Sequence, residues 1–391
     1  MSRPTVEVAD ILHAQGDRFL ERNRSWLGIQ RLSVLRAISR CRTAALGGHI
    51  DSCSRCGHQA ISYNSCRNRH CPKCQAQARQ RWLAAREQEL LGVCYFHVVF
   101  TLPHELIPLC QYNPKVLYDL LFQVTAATLL EIAADPKHLG AEIGFLTILH
   151  TWGQNLLPHP HLHCVIPMGG LSPDHTRWVH PRYLFFLPIG VLKRVFRRRF
   201  VKALKLAYRQ KKLRFFGQIA ELEHPKRFAA FLRTVYRKHW VVYAKPALGG
   251  PLQVLRYLGR YTHRVAISNH RLLAFDGERV TFRWKDYAHG NKQRKMTLTA
   301  TEFLRRFVQH ILPRGFVRIR QYGFLANRCR AANLALGRQL LAITTKPPEA
   351  CPKSATDAPT WRCPQCGAAM QIGANFTARQ LAQQCKFFDS S

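Results

Sequence analysis

The sequence predicts an α+β fold in which helices pack on one face of a mainly antiparallel sheet, preceded by a small cysteine-rich domain. Three observations predict it. A run of β-formers at 93–103, a helical pattern to about Asp135, and apolar runs at 144–152 and 161–167 follow as strand, helix, strand, strand. Cysteines cluster early in the chain, between residues 53 and 74. A hydrophobic content of 47% in 391 residues is enough to bury a large core.

The charge of the chain is far from balanced, with 59 Lys and Arg residues against 22 Asp and Glu residues and a formal net charge of +37. A folded protein with this excess needs a polyanionic partner, and nucleic acid is the natural one, with an anionic membrane surface as the weaker alternative. No continuous apolar run of about 18 residues occurs, so no membrane-spanning segment is predicted. The N-terminus lacks the layout of a signal peptide, which predicts a cytoplasmic protein.

The N-terminal segment has a helical pattern up to about residue 48, and a cysteine-rich segment follows it. Two C-x2-C pairs have the spacing of knuckles that close one tetrahedral thiolate site, which predicts a structural zinc ion. The predicted ligands are Cys53, Cys56, Cys71 and Cys74. Cys66 and His70 lie inside the loop and could replace a ligand or help to bind a second ion. Arg67 and Arg69 make the loop basic, so the module either contacts nucleic acid as well or is purely structural.

A second metal-binding pattern lies in the strand predicted at 161–167. His161 and His163 flank Leu162, so the two-residue period of a strand places both imidazoles on one face and Leu162 in the core. Two imidazoles on a rigid strand form half of a divalent-metal site and leave positions for a third ligand and a substrate oxygen. The alternative is a strand with two incidental histidines.

Residues 193–214 carry eleven Lys and Arg residues and no acidic residue. Apolar residues at helical spacing predict a helix that packs on the core and presents a continuous basic outer face. A stretch of one charge repels itself unless a partner neutralises it, so we expect nucleic acid to bind here. The predicted contacts in this helix are Arg197, Arg198, Arg199 and Lys202.

Tyr257 and Tyr261 lie four residues apart in a helix predicted at 252–262, so their rings share one face. The adjoining basic residues are Arg256, Arg260 and Arg264. One interpretation makes the tyrosines core anchors. The other makes them nucleophiles of phosphoryl transfer, since a phosphotyrosine ester keeps the energy of the phosphodiester and a 3′-hydroxyl can later reverse the step. A phenol with an ordinary pKa of about 10 would need a metal and nearby arginines.

The rest of the chain shows short strands at 271–299 with a hairpin turn at Asp276-Gly277, a helix near 302–310, and a linker rich in proline and small residues at 345–360. Four more cysteines near the C-terminus could close another zinc site or belong to a frayed tail: Cys351, Cys363, Cys366 and Cys385.

In combination these motifs resemble the HUH endonucleases in their two-tyrosine form. The resemblance is closest to the rolling-circle insertion-sequence transposases of the IS-ninety-one family, and it covers most of the chain. It rests on residues 65–74, 99–103, 150–163 and 257–264. It implies an RRM-like HUH nuclease core with helical insertions, and Mg²⁺ or Mn²⁺ as the catalytic ion. It also implies a bacterial, nucleoid-associated protein that cleaves and rejoins single-stranded DNA at element ends and targets, through 5′-phosphotyrosine intermediates on Tyr257 and Tyr261.

The resemblance also implies a third ligand beside the two histidines, which the sequence leaves open. Gln154 is the first candidate, because hard Mg²⁺ or Mn²⁺ favours an oxygen ligand and Gln154 precedes the strand. His150 would lie on the same face and is the second. His159 has the spacing of a third strand ligand, but Pro160 is expected to turn it away.

The sequence thus predicts three parts: a helical and zinc-binding domain that contacts DNA at 1–92, a catalytic domain at 93–344, and a linker with a tail that could bind zinc at 345–391. Two other functions stay open at this point. One is a non-catalytic zinc-ribbon DNA-binding protein with both tyrosines in the core. The other is a metal-dependent hydrolase in which His159, His161 and His163 together bind a metal that activates water. A covalent adduct with DNA would exclude both.

Overall fold

The computed structural model describes residues 4–181, 187–245, 259, 265–286, 289–344 and 361–380. The chain forms two compact units. Unit I combines residues 1–78, 267–305 and 349–391, and unit II combines residues 79–266 and 306–348. These units differ from the predicted boundaries, because the 267–305 segment and the C-terminal tail join the N-terminal residues in one unit.

The described ranges contain both helices and strands in quantity, as the α+β prediction requires. The helices are α1 (Val8–Asn23), α2 (Ile29–Ser39), α3 (Pro72–Glu87), α4 (Ile107–Tyr112), α5 (Pro114–Ala134), α6 (Ile189–Arg209), α7 (Pro225–Arg237), α8 (Ala300–Val308) and α9 (Arg330–Thr344). The strands are β1 (Gly48–Cys53), β2 (Gln59–Tyr63), β3 (Tyr95–Thr101), β4 (Gly144–Trp152), β5 (Pro158–Pro167), β6 (Gly170–Leu171), β7 (Trp178–Val179), β8 (Val241–Lys245), β9 (Leu272–Phe275), β10 (Arg279–Asp286), β11 (Lys292–Thr299), β12 (Ile319–Gly323) and β13 (Met370–Phe376).

Unit II is built around a five-stranded antiparallel sheet in the order β12-β4-β5-β3-β8. The predicted strands at 144–152 and 161–167 are its β4 and β5, and β5 occupies the centre. His161 of β5 pairs with His150 of β4, and His163 pairs with Val99 of β3. The β4–β5 register shifts between His150 and Trp152, which is a β-bulge directly after the first histidine.

Helices cover one face of this sheet. Leu162 and Cys164 of β5 are fully buried in a core that also contains apolar side chains of β3, α5 and α6. The predicted basic helix is α6, and its apolar positions recur every three or four residues, so one stripe faces this core. The buried residues of that stripe are Leu192, Phe196, Phe200, Leu204 and Ala207.

Among the described residues α5 is the one helix long and apolar enough to cross a membrane, with 21 residues and a mean hydropathy of 1.5. Its apolar residues pack in the core of unit II, and it contacts α6. Asn113 fixes its start, because Oδ1 accepts a hydrogen bond from the backbone N–H of Arg214 at 2.7 Å and Nδ2 donates to the Arg214 carbonyl at 2.9 Å. The packing of α5 is therefore that of a core helix.

The opposite face of the sheet has a smaller apolar cluster of its own. This cluster consists of Tyr95, Leu146, Ile148 and Val165. Trp82 of α3 packs against it, so α3 covers this face. Because side chains alternate along a strand, His161 and His163 lie on the same face as Val165. The sheet thus separates the two histidines from α5 and α6.

Unit I contains two three-stranded antiparallel sheets, in the orders β13-β1-β2 and β11-β10-β9. The predicted hairpin turn at Asp276-Gly277 is confirmed. Oδ1 of Asp276 accepts hydrogen bonds from the backbone N–H groups of Glu278 and Arg279, and Gly277 has a φ of +98°. In the other sheet β13 pairs with β1, so strands from the two ends of the chain lie side by side.

Candidate metal centre and nucleic-acid interface

Three histidines of β4 and β5 converge on the sheet face that α3 covers. One ring nitrogen each from His150, His161 and His163 lies within 4.8 Å of the other two. Nε2 of His161 is 3.1 Å from Nε2 of His163. Two nitrogens at adjacent corners of an octahedron with bonds of about 2.1 Å would be about 3 Å apart. The spacing therefore fits a single metal ion.

Hydrogen bonds determine which nitrogen each ring can offer. Nδ1 of His161 donates to the carbonyl of His159 at 2.6 Å, which leaves the lone pair of Nε2 for a metal. Nδ1 of His163 is 2.7 Å from Nε2 of His97 on β3, and the two rings stack with centroids 5.0 Å apart. When His163 donates this bond, its Nε2 also presents a lone pair. Two lone pairs 3.1 Å apart repel each other unless a cation lies between them.

Burial keeps the imidazoles of His161 and His163 neutral. It lowers the pKa of His161 to about 3 and holds the pKa of His163 well below its usual range. His150 is 2% exposed and stacks on Trp152 with ring centroids 4.6 Å apart, so the third ring is also held in place. Neutral imidazole is the form that binds a metal, so His161 and His163 can bind one without first losing a proton.

The candidate third ligands occupy three different positions. His150 completes the cluster because it pairs directly with His161 across the β4–β5 ladder. His159 is exposed and lies outside the cluster. Gln154 is half-buried in the loop between β4 and β5, and its role as a ligand stays a prediction.

The predicted nucleophiles and the arginines beside them lie outside the described residues: Tyr257, Tyr261, Arg256, Arg260 and Arg264. Gly259, midway between the tyrosines, is described, and it is helical and buried. A Cβ added to Gly259 would lie 2.6 Å from Cδ1 of Leu83 on α3. Gly259 therefore contacts the helix that covers the histidine-bearing face of the sheet.

α6 presents a stripe of basic side chains to solvent. The basic stripe consists of the exposed residues Arg194, Arg198, Lys202, Lys205 and Arg209. It borders a cavity of about 550 Å³ between α6 and α5. Two other residues of α6 that were predicted to contact nucleic acid interact within the protein instead. The guanidinium of Arg197 lies 4.4 Å from the ring centroid of Tyr236, and Arg199 pairs with Glu131. The basic stripe lies on the helical side of the sheet, away from the histidines.

The cysteines predicted to share one zinc ion belong to two separate clusters. The first cluster consists of Cys41, Cys66, Cys71 and Cys74, and the second of Cys53, Cys56, Cys363 and Cys366. The prediction of a single site is corrected by this arrangement. Cys53 ends β1, whose partner β13 brings the C-terminal pair beside it. Cys71 directly precedes α3 and Cys74 lies in its first turn, where they meet Cys41 after the end of α2.

The first cluster has the dimensions of a zinc-thiolate site. Sγ of Cys74 lies 3.5 Å from Sγ of Cys41 and 3.6 Å from Sγ of Cys66. Sulfurs around a tetrahedral zinc ion with bonds of about 2.3 Å are about 3.8 Å apart. Hydrogen bonds from the thiols of Cys66 and Cys71 lower the pKa of Cys41 to about 7, which favours the thiolate that a metal needs.

The loop between Cys66 and Cys71 keeps its predicted basic character. Arg67 and Arg69 are both exposed, and Arg67 has a φ of +50°. His70 is buried and lies outside both cysteine clusters, with Nδ1 3.1 Å from Oδ1 of Asn68. Cys66 therefore belongs to the first cysteine cluster, whereas His70 interacts with Asn68.

Comparisons with known proteins cover both units. A family model described as "Putative transposase" matches residues 144–333, and one described as "Transposase zinc-binding domain" matches residues 11–102. The "Putative transposase y4qJ" of Sinorhizobium fredii is 53% identical over 348 residues, which are 89% of this chain and 87% of the relative. The "Transposase for insertion sequence element IS801" of Pseudomonas savastanoi pv. phaseolicola is 29% identical over 365 residues, 88% and 86% of the two chains.

The chain belongs to the IS-ninety-one family of transposases. This transposase acts on DNA, and it has an N-terminal zinc-binding domain in which the matched residues include the whole of the first cysteine cluster. No solved structure matches it significantly.

Two residues of the candidate sites, His97 and Cys41, are not marked by any motif in the sequence. His97 lies in the predicted strand at 93–103, but its pairing with His163 depends on the packing of β3 against β5. Cys41 follows α2 and has no second cysteine nearby in sequence to mark it. The sequence does contain one signal for the second cysteine cluster. Cys363-x2-Cys366 is followed by glycine just as Cys53-x2-Cys56 is, so the two pairs share one motif.

Proposed function

We propose that this transposase nicks and rejoins single-stranded DNA at insertion-sequence ends through 5′-phosphotyrosine intermediates, as a two-tyrosine HUH enzyme of rolling-circle transposition. One observation carries the proposal. Three imidazoles converge on a sheet face whose covering helix, α3, contacts Gly259. Gly259 is midway between Tyr257 and Tyr261 in sequence, so its contact with α3 supports placing the predicted nucleophiles near that face.

The arrangement of unit II supports an RRM-like core. Leaving short intervening elements aside, β3, α5, β4, β5, α6 and β8 follow one another in β–α–β–β–α–β order. Their strands lie in the order β4-β5-β3-β8, with every neighbouring pair antiparallel, and β12 extends the sheet at one edge. In this arrangement His161 and His163 belong to the central strand β5, whose backbone is held rigid by β4 on one side and β3 on the other.

The histidine cluster is suited to a divalent transition ion. His150, His161 and His163 would hold it through one imidazole nitrogen each. Both predicted ions favour oxygen ligands, but Mn²⁺ accepts imidazole nitrogen more readily than Mg²⁺ does, so Mn²⁺ fits this donor set better of the two. A bound ion would draw charge from the non-bridging oxygens of the scissile phosphate, which is the help that a phenol nucleophile needs.

The proposed reaction is a reversible exchange of phosphate esters. The phenolic oxygen of Tyr257 or Tyr261 bonds to phosphorus, the bond between phosphorus and the 3′ oxygen breaks, and that oxygen gains the proton the phenol loses. A 3′-hydroxyl later attacks the same phosphorus, restores a phosphodiester and returns a proton to the tyrosine. No high-energy cofactor is required, because one phosphate ester replaces another in each step.

The first prediction concerns the reaction itself. Wild-type protein mixed with Mn²⁺ and labelled single-stranded DNA from an element end is expected to form an adduct that survives denaturing electrophoresis. Protein that keeps its zinc but receives no Mn²⁺ should form at least about 100-fold less adduct, because Mn²⁺ would contribute several kcal/mol of charge stabilisation in the transition state. Binding without any adduct would favour the non-catalytic zinc-ribbon protein. Cleavage without an adduct would favour the hydrolase.

The second prediction concerns His97. Residues that hold a metal-binding histidine through its second nitrogen commonly contribute 10- to 100-fold to metal affinity. We therefore expect His97→Phe, which keeps a flat ring but removes both nitrogens, to weaken Mn²⁺ binding by about 10- to 100-fold in calorimetric titrations. His97→Gln retains a hydrogen-bonding group and should recover part of the affinity. If His97→Phe bound Mn²⁺ as the wild type does, ring stacking alone would orient His163.

A further inference from the structure

The second cysteine cluster is built from two knuckles with the same backbone geometry. In the N-terminal knuckle, Gly57 N–H donates to the Cys53 carbonyl at 3.0 Å, and Cys53 N–H donates to the His58 carbonyl at 2.9 Å. In the C-terminal knuckle, Gly367 N–H donates to the Cys363 carbonyl at 2.9 Å, and Cys363 N–H donates to the carbonyl two residues after Cys366 at 2.7 Å. Both glycines have a φ of +72°.

The same left-handed φ at both glycines explains why each C-x2-C pair is followed by glycine, since other residues adopt this conformation at a cost. A knuckle of this form turns the chain so that two cysteine side chains point to one side. Two such knuckles face each other here, although their sequences lie at opposite ends of the chain.

The sulfur positions fit a shared ion and exclude disulfides. Sγ of Cys53 is 3.5 Å from Sγ of Cys366, and Sγ of Cys56 is 3.5 Å from Sγ of Cys363. A disulfide needs about 2.05 Å between the sulfurs, whereas a tetrahedral zinc-thiolate site needs about 3.8 Å. All four sulfurs lie within 4.8 Å of one another, so one ion can reach all of them.

The β13-β1-β2 sheet holds the two knuckles in this position. β1 ends at Cys53, which pairs with Met370 at the start of β13. Cys53 and Cys363 are themselves buried and form a small apolar cluster with Met370. A three-stranded sheet with two facing knuckles has too little apolar core to be stable alone, and structural zinc commonly supplies the missing folding free energy.

We propose that Cys53, Cys56, Cys363 and Cys366 bind a second structural zinc ion, which makes the C-terminal segment 361–380 part of the zinc-binding domain. The family model for that domain ends at residue 102, so it contains only half of this ligand set. The other two ligands, Cys363 and Cys366, belong to the four C-terminal cysteines that the sequence predicts as a possible zinc site. The remaining two, Cys351 and Cys385, lie outside the described residues. The domain is therefore closed by residues from both ends of the chain.

Cobalt substitution of the full-length protein tests this proposal, because the thiolate-to-cobalt charge-transfer band reports sulfur-bound ions and not ions on histidines. Wild type should show the band intensity of two tetrathiolate ions per chain. Cys363→Ser with Cys366→Ser should lose half of it, and so should Cys53→Ser with Cys56→Ser. Combining all four substitutions should cause no further loss. The matched control is Cys94→Ser with Cys329→Ser, which changes two cysteines outside both clusters and should keep the full intensity.

The half of the charge-transfer intensity that remains in each knuckle variant comes from the first cysteine cluster, so it also reports that this cluster has folded. A milder variant covers the case in which serine prevents folding: Cys366→His should keep the ion, and the visible cobalt bands should shift to those of a three-sulfur, one-nitrogen site. Wild type with the intensity of one ion would overturn the proposal. So would full intensity in either knuckle variant, or unshifted cobalt bands in Cys366→His.

Discussion

Protein in which Tyr257 and Tyr261 are both replaced by phenylalanine is expected to form no covalent adduct with single-stranded DNA, while its stability and its affinity for DNA stay at the wild-type level. The substitutions remove two hydroxyls and keep both rings. A core-anchor role predicts an active protein, whereas a nucleophile role predicts complete loss, since phenylalanine has no oxygen to bond to phosphorus. Denaturing gels of labelled element ends distinguish the two outcomes.

The single variants sharpen this test. Either Tyr257→Phe or Tyr261→Phe should still form adduct through the remaining tyrosine but should fail to complete transposition. Two nucleophiles on one helical face allow a second strand to be cut while the first stays covalently held. The exposed Tyr112 provides a matched control, because Tyr112→Phe removes a phenol far from the motif in sequence. A DNA-linked band in the double variant would place the nucleophile elsewhere and refute the two-tyrosine reaction.

Replacing His161 and His163 by alanine is expected to lower cleavage by roughly 10³-fold or more while single-strand affinity changes by about threefold or less. The two effects should separate because the two histidines and the basic stripe lie on opposite faces of the sheet. Phosphate contacts made by lysines and arginines supply most of the binding free energy. Fluorescence anisotropy should also show affinity falling steeply as salt increases, equally in wild type and variant.

The matched control for this variant changes two other histidines of unit II, His104 and His138, which lie outside the histidine cluster. Together, His104→Ala and His138→Ala should leave cleavage and binding unchanged. Thermal unfolding of both variants reports whether the buried substitutions have disturbed the core. A His161→Ala, His163→Ala protein that stays folded but loses binding and cleavage together would show that the histidines contribute to DNA binding and not only to metal binding.

The parts of the fold that follow from local periodicity could be predicted from the sequence. Alternation along β5 placed Leu162 in the core and the flanking histidines on the other face, as the structure confirms. Helical spacing in α6 predicted both its apolar stripe and its basic outer face. In both elements one local repeat determines which side chains are buried, so neighbouring residues in sequence carry the information.

What the sequence did not reveal depends on pairing between distant segments. His150 joins the cluster through its register against His161, and a bulge directly follows it. Metal hardness and its position just before β5 favour Gln154 as a ligand, and neither depends on the β4–β5 register. The cysteines were assigned to one site because nearby pairs in sequence were assumed to pair in space, whereas the partner of Cys53 is Cys366, 313 residues away. Spacing reveals a knuckle, but it does not reveal which other knuckle faces it.

The pairing of β1 with β13 also sets the order of events while the chain is being made. Cys366 leaves the ribosome 313 residues after Cys53, which at about 5–20 residues per second is roughly 15–60 s later. During that interval β1 has only β2 as a neighbour, and its other edge is open to pairing with any extended segment. A polypeptide truncated before Met370 lacks β13, so this edge of β1 has no partner from that strand. Until β13 has been synthesised, the β13-β1-β2 sheet of the N-terminal domain therefore lacks one of its three strands.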